Sequence, residues 1–124
     1  MSLNISMKIE EALSKNFLLD DIKKQEILKF LLKYKVGHFL YASVLTRKFK
    51  LPPREVYLFL KELEKNEIVK SYYQIYCKTC DKKVHGLYET INEIPEIIEC
   101  NECGEEISGI ENSYVIYKVV KTDG

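Results

Sequence analysis

Four cysteines decide what this chain can fold into. Cys77, Cys80, Cys100 and Cys103 are all the cysteine it has, written C-K-T-C, nineteen intervening residues, then C-N-E-C-G. Two cysteines three positions apart at a tight turn place both sulfurs on one edge of a tetrahedron with metal–sulfur bonds near 2.3 Å, and a second such turn closes the shell. The C-x2-C-x19-C-x2-C spacing therefore predicts one structural Zn²⁺ held by all four thiolates. Gly104 after the second pair suits a left-handed backbone, and Asp81, in the matching place after the first, tolerates one better than most residues. The other chemistries of paired cysteines fit less well. Disulfides need an oxidising compartment, for which the sequence gives no sign. A redox C-x-x-C needs a βαβ setting that neither pair has. An iron–sulfur cluster is separated from zinc only by the preference of paired C-x-x-C turns for zinc. Four thiolates fill the shell, so His85 reads as an ordinary strand or loop residue, and His38 has no partner visible in the sequence.

Short strands surround the cysteines. Residues 84–91 alternate only partly, 94–99 contain Pro95 and read as an edge strand or extended loop, and 107–110 offer another short strand. Tyr114–Val120 is the best strand after the cysteines, rich in β-branched and aromatic residues. This is the pattern of a zinc ribbon over 77–124, and so short a segment cannot close a core without its metal.

The first 76 residues read differently. Ile5, Ile9, Leu13 and Phe17 mark an amphipathic helix over about 4–16. Asp20 or Asp21 caps a second, with Ile22, Ile27, Leu28, Leu31 and Leu32 as its buried stripe and Val36-Gly37 as its end. A third helix is expected from about His38 to Lys48, and a fourth over about 53–66 with Pro53 in its first turn. A strand follows over about 68–76. The whole is an α+β chain whose first part has the element order of a winged helix-turn-helix. Because the residues after that strand are committed to the cysteine turns, its partner is expected to be the 114–120 strand, so that the ribbon extends the wing hairpin.

At about 100° per residue, Val56, Phe59, Leu60 and Leu63 form the buried side of the fourth helix. Arg54, Lys61 and Lys65 lie on the opposite side, flanked by Tyr57 and Leu58. Three cations and a tyrosine on one ridge suit phosphates or base edges in a major groove, with Arg47, Lys48 and Lys50 beside them for the backbone. The bland alternative is a solvated face with i,i+4 pairs to Glu55, Glu62 and Glu64.

A winged helix followed by a ribbon at Cys77, Cys80, Cys100 and Cys103 resembles the pairing in archaeal transcription factor E and the large subunit of the eukaryotic general factor TFIIE. That resemblance implies a non-enzymatic protein acting through RNA polymerase and promoter DNA. This chain departs from the pattern in having no linker before its first knuckle. Charge divides in the same sense: residues 1–76 hold 14 basic against 9 acidic side chains, residues 77–124 hold 5 against 10. Two functions are therefore expected to compete. One is a transcriptional regulator that binds double-stranded DNA through its basic half. The other is an adaptor subunit of a larger complex, such as a polymerase or a multi-subunit effector, that meets its protein partner through the winged helix and the acidic ribbon. No Ser/His/Asp set or Gly-rich phosphate loop suggests an enzyme, and no basic n-region with a long apolar run suggests export, so a cytoplasmic protein is expected.

Overall fold

The computed structural model describes residues 4–122 and gives a mixed α+β fold. In chain order the elements are α1 (Ile5–Asn16), α2 (Asp21–Leu32), β1 (Phe39–Leu40), α3 (Ala42–Phe49), α4 (Pro53–Lys65), β2 (Val69–Cys77), β3 (Lys82–Tyr88), β4 (Ile97–Glu99), β5 (Glu106–Ser108) and β6 (Ser113–Val119). The chain divides into two compact units, residues 1–70 with 117–124, and residues 71–116. β2 and β6 belong partly to each.

Local chemistry sets the helix ends of the first unit. Asn4 Oδ1 accepts from the Met7 amide at 2.8 Å, and Asp20 Oδ1 from the Lys23 amide at 2.7 Å, each satisfying a donor that a helix start leaves open. Pro53 stands at the start of α4, where its missing N–H costs nothing. Ile5, Ile9, Ala12 and Leu13 of α1 are buried, as are Val56, Phe59, Leu60 and Leu63 of α4. α1 packs on α4 and on α2, and α3 packs on α4. Phe17 and Phe59 meet edge to face at 5.8 Å.

Three details of the expected helices are corrected. The second helix ends at Leu32, before Val36-Gly37, and its buried face is Ile27, Leu28 and Leu31. Ile22 is 75% exposed and Leu32 43%. Ile22 lies about 140° around the helix from Ile27, too far to share its face. The third helix begins at Ala42, because His38–Leu40 is taken up by strand pairing. Gly37, at φ +94°, turns the chain so that its amide donates to the Val119 carbonyl, and the Val119 amide donates back to His38.

The four-stranded sheet has the order β1-β6-β2-β3, and β4 pairs with β5 separately. The expected pairing of the strand after α4 with the C-terminal strand is therefore present. In the first unit the Val120 amide donates to the Ile68 carbonyl, and in the second the Tyr76 amide donates to Asn112. One index falls as the other rises, so the pair is antiparallel. β2 and β3 form an antiparallel hairpin with an irregularity between Gln74 and Ile75.

The second unit is built around very few side chains. Its core is Ile75, Cys77, Val84, Ile94 and Cys100, with Tyr73, Tyr88, Ile98 and Ile107 packed against it. Gly109 closes the β4–β5 end of this core. A Cβ there would stand 2.1 Å from the Pro95 carbonyl oxygen and 2.7 Å from Ile94 Cγ2. Backbone cannot yield as a flexible side chain does, so Gly109→Ala is expected to destabilise this unit by about 1–3 kcal/mol. Thermal melts of the metal-loaded variant check this, and an unchanged midpoint would contradict the close approach.

Candidate functional site

The hairpin β2–β3 and the stretch between β4 and β5 each carry one C-x-x-C turn, and the two turns bring their sulfurs together. All four Sγ atoms lie within 4.8 Å of one another. Cys77 Sγ is 3.7 Å from Cys103 Sγ, and Cys80 Sγ is 3.6 Å from Cys100 Sγ. A tetrahedron with 2.3 Å metal–sulfur bonds has edges of about 3.8 Å. These separations match such edges and are far longer than an S–S bond of about 2.05 Å. The thiols are free, with Cys77 and Cys100 buried, Cys80 half-buried and Cys103 exposed. The cluster can hold one metal ion.

The two turns repeat one backbone design. The Asp81 amide donates to the Cys77 carbonyl at 2.9 Å, and the Gly104 amide donates to the Cys100 carbonyl at 2.8 Å. Both closing residues are left-handed, Asp81 at φ +61° and Gly104 at φ +75°, as the sequence predicts. The amides of Cys103 and Glu102 point at the Cys100 sulfur and lower its pKa to about 7 against burial. Burial first, then the neighbouring sulfurs, push the Cys80 thiol up to about 12. At Cys103 the Glu105 amide lowers the pKa, but burial and the adjacent thiols outweigh it and the net direction is up. Four thiols this close cannot all ionise unaided, which is the electrostatic condition that a bound dication relieves.

Supporting contacts were not legible in the sequence. The Tyr76 hydroxyl donates to Asp81 Oδ1 at 2.5 Å, with the Asp81 carbonyl oxygen 2.9 Å away, and so fixes the first knuckle's closing residue. That carboxylate, followed by burial, raises the phenol to about 12, so Tyr76 stays a donor throughout the neutral range. Asn101 Oδ1, beside Cys100, accepts the His85 amide at 3.1 Å and ties β3 to the second knuckle. Neither histidine belongs to the cluster. His85 is exposed in β3, and His38 Nδ1 accepts the Lys35 amide at 3.2 Å.

The second group of candidate residues lies on α3 and α4. Arg54, Tyr57, Leu58, Lys61 and Lys65 are exposed along α4, opposite its buried stripe, and Arg47, Lys48 and Lys50 are exposed at the end of α3. Among the described residues, the side chains of Arg54, Lys61, Lys65 and Lys50 meet no hydrogen-bonding or ion-pair partner. Glu62, expected to flank the ridge, is drawn off by Lys15 of α1 at 3.4 Å. Two of the expected contact residues are partly engaged elsewhere. Lys48 Nζ sits over the Phe30 and Phe49 rings at 5.3 and 5.8 Å, and Arg47 Nε donates to the Ser43 carbonyl at 3.3 Å. Lys50 ends α3 in the left-handed conformation at φ +53°.

Charge separates along the same division as the fold. Residues 71–116 carry three lysines against nine acidic side chains, a balance of −6, so the neutral chain leaves +6 on the other unit. No helix among the described residues is long and apolar enough to cross a membrane. Comparison with protein-family models, with curated proteins and with solved structures returned no match.

Proposed function

We propose that this is a non-enzymatic, zinc-containing regulator whose helical unit is a winged helix-turn-helix that binds double-stranded DNA, with the metal acting structurally. The observation that carries the reading is the outer face of α4, where Arg54, Lys61 and Lys65 stand exposed within one ridge and their nearest expected competitor, Glu62, is paired to α1. The order α2, β1, α3, α4, β2, with β6 between β1 and β2, supports the winged-helix assignment. In that arrangement α4 is the recognition helix, and β2 and β6 are the arms of the wing, with the cysteine unit standing between them in sequence. Phosphate contacts would come from Arg47, Lys50 and Lys65, and base edges would be met from Arg54, Tyr57 and Lys61. Zinc is the metal that four thiolates in two C-x-x-C knuckles favour, and a shell with no open position gives it no catalytic role.

The test is a shift-perturbation map. On adding a mixed-sequence duplex to metal-loaded protein, amide shifts should concentrate in residues 47–65 and spare 81–111. Absence of duplex-induced shifts in 47–65 would overturn the DNA reading and leave the second reading, an adaptor whose ribbon meets a basic protein partner. The observation favouring that alternative is the exposure of Ile97 (66%), Ile110 (52%) and Ile91 (49%) on a unit with a balance of −6.

A further inference from the structure

The helical unit contains a cavity of about 800 Å³, and nothing in the DNA-binding reading uses it. That volume is within the range of small-molecule sites. Its floor is aliphatic, formed by Ile5 and Ile9 of α1, Leu63 of α4 and Val119 of β6. Its mouth keeps apolar surface in water, with Val36 60% and Leu32 43% exposed.

The charged side chains that line the cavity among the described residues are of one sign. Lys33, Lys35 and Lys121 line it, and among the described residues no acidic side chain does. Among the described residues none of these three ammonium groups meets a carboxylate. Lys33 is accounted for locally, because it caps the C-terminus of α2 and offsets the helix dipole. Lys35 and Lys121 lie outside any helix and have no such role. The first turn of α1 also lines the cavity, through Ile5 and Ser6. Tyr34, half-buried in the lining, has its phenol pKa raised by burial and remains a neutral donor.

We propose that this cavity binds a free anionic amphiphile of the medium-chain fatty-acid class, its chain among the aliphatic floor residues and its carboxylate at Lys33, Lys35 and Lys121. The inference stands independently of the DNA-binding reading, since it concerns only the interior of the helical unit and its rim.

Calorimetric titration of the metal-loaded protein with octanoate, decanoate and dodecanoate, each below its micelle concentration, tests it. Saturable one-to-one binding is expected, strengthening roughly threefold to fourfold per added methylene. Decanol should bind at least tenfold more weakly than decanoate. Lys33→Glu/Lys35→Glu/Lys121→Glu should weaken decanoate at least tenfold. Val36→Trp, at an exposed mouth position that leaves the core untouched, should block it with an unchanged melting temperature. The proposal is overturned by absence of saturable binding up to millimolar decanoate, by equal affinity for decanol, or by unchanged affinity in either variant. Binding to phosphatidylglycerol vesicles without binding to monomeric decanoate would overturn it as well, by naming a membrane surface as the source of the anion.

Discussion

Cys77→Ser or Cys100→Ser is expected to remove the metal and the fold of residues 71–116 together. Both sulfurs are buried within a small cluster whose other buried members are Ile75, Val84 and Ile94. About 46 residues (71 to 116) with so little apolar burial do not reach stability unaided. A structural four-thiolate zinc site supplies on the order of 10 kcal/mol, which exceeds the net stability such a unit would otherwise have. The variants should bind no zinc by elemental analysis. They should also lose the near-ultraviolet signal of Tyr73 and Tyr88, which pack against that core. The helical far-ultraviolet signal, which arises from α1 to α4 in the other unit, should persist. A chelator should reproduce the spectral change in the wild type. A cysteine variant that keeps its tyrosine signals and binds no metal would refute the idea that the metal builds this unit.

The second large effect concerns α4. Arg54→Glu/Lys61→Glu/Lys65→Glu is expected to weaken duplex binding at least a hundredfold at 100 mM salt, while melting temperature and zinc content stay within error of the wild type. All three side chains are exposed and none contributes to the stripe of Val56, Phe59, Leu60 and Leu63. The fold is thus insulated from the change. Three cations on one ridge nonetheless become anions, a change of six charge units, and the lost phosphate contact of Lys65 removes about 0.9 from the log–log salt slope. Lys48→Ala should behave differently, lowering stability slightly through the lost contacts to Phe30 and Phe49 and affecting DNA binding less. Equal binding by the triple variant would remove α4 from the interface.

What could be read in the sequence follows from how local each cause is. The helix starts at Asp20 and Pro53 and the buried stripe of α4 depend on neighbours a few residues away, and their pattern is visible without a fold. The cysteine cluster is legible for a related reason. Each C-x-x-C turn is a local device, and only the meeting of the two turns is long-range. β1 was hidden because Phe39-Leu40 looks like the opening of a helix until the strand at Val119, some eighty residues on, claims the backbone beside it. Ile22 misled because apolar character alone does not fix a helical face. The Tyr76–Asp81 contact and the Gly109 close approach leave no sequence mark, since both depend on how the chain folds back around the knuckles. The cavity beside α1 is equally silent, because its lining comes from segments far apart in the sequence, in α1, the end of α2, β1, α4, β2 and β6.

The salt dependence of binding to a mixed-sequence duplex is the most direct test of the central claim, that the basic ridge on the helical unit docks on DNA. Fluorescence anisotropy of metal-loaded protein between 50 and 300 mM salt should give a log–log slope of about −3 to −5, as expected for three to five phosphate contacts at roughly 0.9 each. A slope near zero, or no binding at the lowest salt, would contradict it.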